Sequence, residues 1–139
     1  MNRQIEAMRR RWFEQLPAQV VAEMQDEVVA AGEELADMMR RLVPVDKGDL
    51  RDSITVTPPG QTTPSHSQPG GTRQAKANEV LITAGDSKAR YAHLVEYGTR
   101  HAHAQPYFWP SYRASVKRIK QRLSRAYGRA FRKVSNHVG

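Results

Sequence analysis

Leu16-Pro-Ala-Gln-Val-Val-Ala-Glu-Met-Gln-Asp-Glu-Val-Val-Ala-Ala-Gly-Glu-Glu-Leu-Ala-Asp-Met-Met-Arg-Arg-Leu-Val-Pro44 decides the architecture. Within it Leu16, Val20, Met24, Val28, Ala31, Leu35, Met38 and Leu42 advance by three or four, which places them in one stripe of a helix. Pro17 suits the first turn, where its missing N–H would have no partner, and Pro44 stops the helix. The spacing predicts a rod of roughly 25 residues, about 37 Å long at ~1.5 Å per residue. A helix with one apolar side needs a cover for it, so the flanking sequence is read for what could pack there.

Upstream, residues 3–15 with Ile5, Met8, Trp12 and Phe13 predict a second helical piece bent at Pro17, within an extension over 1–15. Downstream, Asp46-Lys-Gly-Asp49 has turn composition, with Gly48 where a positive φ would be tolerated. Asp52–Thr57 then alternates polar and β-branched residues as a half-buried strand does, and Glu79–Thr83 predicts a second strand. Between them, residues 58–78 contain Pro58, Pro59, Gly60, Pro64, Pro69, Gly70 and Gly71 and almost no apolar side chain. Such a segment cannot bury enough surface to offset its ordering entropy, which predicts a mobile hairpin arm that orders on a partner. Two strands alone are marginal, so the long helix is expected to cover them. Tyr91–Tyr97 fits a short helix and a strand equally, with Gly98 ending either. Pro110 sits where helices begin, and Tyr112, Val116, Ile119, Leu123, Ala126, Ala130, Phe131 and Val134 form a second stripe, predicting a basic amphipathic helix over 110–135. The expected class is α+β, with a long N-terminal and a basic C-terminal helix packed on a small antiparallel sheet.

At 139 residues, 1–139 is expected to be one domain. The absence of cysteine removes disulfides and thiolate chemistry and suits a reducing cytoplasm. No apolar run approaches the ~20 residues of a membrane span, and an N-terminus with Glu6 and Arg9-Arg10-Arg11-Trp12 lacks a signal-peptide core. A soluble, unexported chain with no membrane partner is expected. The net charge of +8 is unevenly placed: residues 1–57 hold eleven acids and eight bases, whereas 111–139 hold nine bases and no acid. The basic end could bind nucleic acid or the acidic end of a neighbouring copy.

Candidate chemistry is sparse. His93, His101 and His103 near Glu96 lack helical ligand spacing, and Ser53 with His93 lacks the glycines of a nucleophile elbow, so no catalytic residue, metal or cofactor is expected. Glu96 is expected to be partly buried and to require a partner, within the subunit from Arg51, Arg90 or Arg100, or else across subunits. Arg113, Lys117, Arg118, Lys120, Arg122, Arg125, Arg129, Arg132 and Lys133 surround the second stripe and could face DNA, a subunit or solvent.

Three islands carry a resemblance. Val43-Pro44-Val45-Asp46, Gly48, Leu50, Arg51, Ser53 and Ile54 come first, then Tyr91-Ala92 with Val95-Glu96-Tyr97-Gly98-Thr99, then Gln105-Pro106-Tyr107-Phe108 with Pro110. In this order they resemble the neck and tail-completion proteins of long-tailed bacteriophages, whose pattern reads PVDTGxLRxSI, YAxxVEFGT and QPFxxP. Lys47 departs from it where a small hydroxyl residue is usual, and Trp109 where a basic residue is frequent. The resemblance implies a non-enzymatic virion protein of the head-tail junction, assembled in the bacterial cytoplasm. It implies a ring, six copies to match the tail tube, between the head connector and the tail terminator or major tail protein, with DNA passing non-specifically through the lumen. A tail terminator capping the tube, or a small basic DNA-binding or packaging accessory protein, are the alternatives.

Overall fold

The computed structural model describes residues 3–4, 18–77 and 79–138; the expected helical piece at 3–15 lies, but for its first two residues, outside them, as does Pro17. The first element, α1 (Ala18–Leu42), is the predicted rod of 25 residues. It buries Val20, Ala31, Gly32, Leu35, Ala36 and Met39, while Leu42 is exposed and Met24, Val28 and Met38 are half-buried. The buried arc is therefore wider than the expected stripe and turned from it. The reason is that α1 packs on two sides, against the sheet and against the C-terminal helix.

The segment after Pro44 departs from expectation. Gly48–Asp52 forms a short helix, α2, and β1 begins only at Thr55 (Thr55–Thr57). Leu50 and Ile54 reach the core from this corner, so their spacing of four reflects helix and not strand alternation. Gly48 has no positive φ, and a Cβ there would meet nothing within 4 Å, so the turn does not require glycine.

β1 pairs antiparallel with β2 (Leu81–Thr83) in the register Thr55↔Thr83, Val56↔Ile82 and Thr57↔Leu81. The Val56–Ile82 face packs on the core, and the opposite face buries Thr57, Leu81 and Thr83. Gly32 sets how closely α1 lies on this sheet, since a Cβ there would stand 2.9 Å from Val80 Cγ1 and 3.2 Å from Val56 Cγ1. Of the expected arm, residues 58–77 do form a hairpin, but one with contacts of its own. Thr63 N donates to Arg73 O at 2.8 Å, Gly60 N to Ala75 O at 2.9 Å, and the turn folds back so that Gln68 and Ala84 exchange two backbone hydrogen bonds. Thr63, Ser67 and Ala75 are buried. Backbone pairing and the Thr63 hydroxyl, which joins Gly71 O and Arg73 N, supply the cohesion that apolar side chains do not.

The segment left open between helix and strand is a helix, α3 (Ala92–Tyr97), ended by Gly98. Last comes α4 (Phe108–Val138), 31 residues running antiparallel to α1. The core joins Leu35, Met39, Leu50, Ile54, Ala92, Tyr107 and Phe108, so elements from both ends of the chain meet there. No described helix is long and apolar enough to cross a membrane.

Candidate functional site

The second and third islands fold into one block, and Glu96 is its centre. Its carboxylate is 7 % exposed. Oε1 accepts from the backbone N–H of Tyr107 at 3.0 Å and of Phe108 at 2.8 Å, and Oε2 from that of Trp109 at 3.3 Å. These are the donors that the start of α4 leaves without helical partners, and Pro110, next in line, has no N–H to satisfy. The negative charge also sits at the positive end of the helix dipole. The arginine partner expected for Glu96 is absent: Arg51 lies 3.9 Å from Asp52, and neither Arg90 nor Arg100 forms an ion pair among the described residues.

Glycine is required at Gly98. Its φ of +77° and ψ of 175° are reached readily only without a side chain, and a Cβ would come within 2.7 Å of Ala104 N. The chain then returns along α3: Thr99 N donates to Ala102 O, the Thr99 hydroxyl accepts from His101 N and Ala102 N, and Gln105 N donates to Val95 O. Tyr107, 1 % exposed, donates its hydroxyl to Ala92 O at 3.2 Å. Burial pushes the Tyr107 phenol well above its usual range, and the nearby Glu96 carboxylate and Tyr97 add to the effect. Outside the block, Trp109 Nε1 donates to the Tyr97 hydroxyl at 2.7 Å. Trp109 thus braces α4 on α3 where it departs from the family pattern. Pro106 is exposed between these fixed points.

The first island is tied to the sheet at one place and to this block at another. Ser53 Oγ donates to Leu50 O and accepts from Gly85 N at 2.8 Å, pinning the α2 corner to the end of β2. Lys47, the other departure, lies over the Tyr91 ring, 5.8 Å from its centre. Beside that contact opens a groove of about 440 Å³ lined by Asp46, Lys47, Tyr91, Leu94, Thr99 and His103 among others. Leu94, which lines it, is 43 % exposed, and Val45, next to Asp46, is 94 % exposed; Tyr97, 67 % exposed, lies on the other side of α3 beside Trp109. No cluster of three or more His, Cys, Asp or Glu that could hold a metal occurs among the described residues.

On α4 the basic residues divide. Arg118 and Arg122 bind Glu34, Arg122 and Arg129 meet Glu27, and Lys133 binds Glu23 at 3.0 Å. Three acids of the end that the sequence suggested for a neighbouring copy, Glu23, Glu27 and Glu34, are thus engaged within the chain itself. This ladder was missed as a pairing, although its signal is present: Glu23, Glu27 and Glu34 share one side of α1, and Arg118, Arg122, Arg129 and Lys133 share one side of α4. Arg113, Lys117, Lys120 and Arg125 lie away from it, exposed.

The family described as "Bacteriophage HK97-gp10, putative tail-component" matches residues 7–98, about two thirds of the chain. No curated protein and no solved structure matches. The match contains the first island and the second up to Gly98, so it includes Glu96, while the third island and α4 lie beyond it. The chain belongs to this bacteriophage tail-component family.

Proposed function

We propose that this tail component acts at the head-tail junction, as a ring that completes the tail and joins it to the head connector while DNA passes through. Family membership over residues 7–98 is the observation that carries the reading. The chain works by shape and performs no catalysis. Residues 1–139 act as one domain, and the block from Tyr91 to Pro110, with Pro44, Asp46, Gly48, Leu50, Arg51 and Ser53 beside it, fixes the surface presented to the next copy. Two features support this assignment: Val45, Leu94 and Tyr97 are exposed apolar side chains, with Leu94 lining a groove, and the backbone of the block is held by buried hydrogen bonds. Different patches meeting around an axis give a closed ring, with six copies matching a tail tube. The 58–77 hairpin is assigned to the adjacent subunit or connector.

The test is genetic and morphological. Loss of the gene from its phage should leave full heads and separate tails in electron micrographs, with joining restored by the wild-type gene. Joined, infectious particles without the protein would refute the junction role. Tails of irregular length would favour the terminator reading.

A further inference from the structure

We infer that the solvent side of α4 is a surface for the phosphate backbone of double-stranded DNA. It deepens the reading above and rests on it for its setting. α4 carries nine bases and no acid. Four of them, Arg118, Arg122, Arg129 and Lys133, face the acids of α1. The other five, Arg113, Lys117, Lys120, Arg125 and Arg132, are exposed and make no ion pair among the described residues. At 3.6 residues per turn they fall within an arc of about 140°, spread along about 28 Å of helix.

Charge accounting selects the occupant. A neighbouring copy would need acids to receive this arc, yet Glu23, Glu27 and Glu34 are held by α4, and Glu33 and Asp37 lie against Arg40. The described acids without an ion pair, Asp26, Asp46, Asp49, Glu79, Asp86 and Glu96, are scattered over separate elements, and the last three already accept from backbone N–H groups, so they offer no row to match the arc. A duplex offers one phosphate charge per ~1.7 Å of axis, so the arc spans far more phosphates than it has bases. Gln121, Ser124 and Gly128 interleave the bases and supply no acid to repel a phosphate. Contacts of this kind are independent of sequence and weaken steeply with salt, as a duplex that must slide past requires.

The test measures binding of the full chain to a random 30-base-pair duplex across salt concentrations. It compares wild type with Lys117→Gln/Lys120→Gln/Arg125→Gln and with Arg41→Gln/Lys88→Gln/Arg90→Gln, which removes the same charge from exposed sites elsewhere. The α4 triple should bind at least about tenfold more weakly at low salt, with a salt slope shallower by about 2 to 3, while the control stays near wild type. Helical circular dichroism and melting should match in all three proteins. Equal losses in both variants, or none in the α4 triple, would overturn the inference. If the α4 triple binds duplex normally but its copies come apart, the face is a subunit interface and the inference falls. If wild type forms the ring and the α4 triple binds as well as wild type, the inference fails and the ring reading stands. A monomeric wild type that shows the predicted α4-specific loss would sink the ring and leave the surface.

Discussion

Glu96 and the column of Glu23, Glu27 and Glu34 both serve α4, yet they act by different physics. Glu96 is buried and spends its charge on three backbone N–H groups at the helix start. The ladder acids sit at a half-exposed surface among four partly exposed cationic side chains. A hydrogen bond to a buried charged group contributes about 1.5 to 3 kcal/mol, and a surface ion pair about 0 to 1 kcal/mol. The difference teaches that burial, not the number of charges, decides which contact defines the fold. One carboxylate fixes how α4 leaves the block, and the ladder's several pairs bias only its register on α1.

The sharpest way to break this contrast is at its centre. Glu96→Ala should destabilise by about 3 to 4 kcal/mol in chemical denaturation, because three donors, two of them in buried bonds, lose their acceptor, and Glu96→Gln by about half that. A loss below ~1 kcal/mol for Glu96→Ala would place it with the surface acids. Gly98→Ala should cost about 2 to 3 kcal/mol through its positive φ and the close approach to Ala104. The buried region also has a pH signature. The folded protein holds the Tyr107 proton more tightly than the unfolded chain does, so this contribution is intact below the ordinary phenol range near 10. It is lost as pH rises above that, with a slope approaching ~1.4 kcal/mol per pH unit. Melting curves from pH 9 to 11.5 should show that fall in wild type and a weaker one in Tyr107→Phe. Least of all, Arg122→Gln should cost under about 1 kcal/mol, and high salt should erase the difference from wild type.

The two regions were unequally legible. The long helices followed from apolar spacing alone, because a 3.6-residue period over many turns has few competing explanations. Gly98 marked the end of the short α3, and Pro110 the first turn of α4 though not its first residue, both through backbone geometry. Residues 48–52 misled, since a five-residue helix feeding Leu50 and Ile54 to the core imitates a turn and the start of a strand. The 58–77 hairpin misled differently: its cohesion is in backbone pairs such as Gln68 with Ala84, which side-chain composition does not encode. Glu96 was recognised as a buried charge, but its partner was sought among arginines. Backbone amides 11 to 13 residues onward have no letter in the sequence, and only the fold brings them to the carboxylate.

What the account asks of this chain is closure into a ring, and native mass spectrometry of the full-length protein tests it most directly. A discrete closed species near six times the 15.7 kDa chain mass is expected, shifting to monomer when Val45, Leu94 and Tyr97 are replaced by serine while the helical spectrum is kept. A wild-type protein that stays monomeric at every concentration, with and without its connector and tail partners, would contradict it.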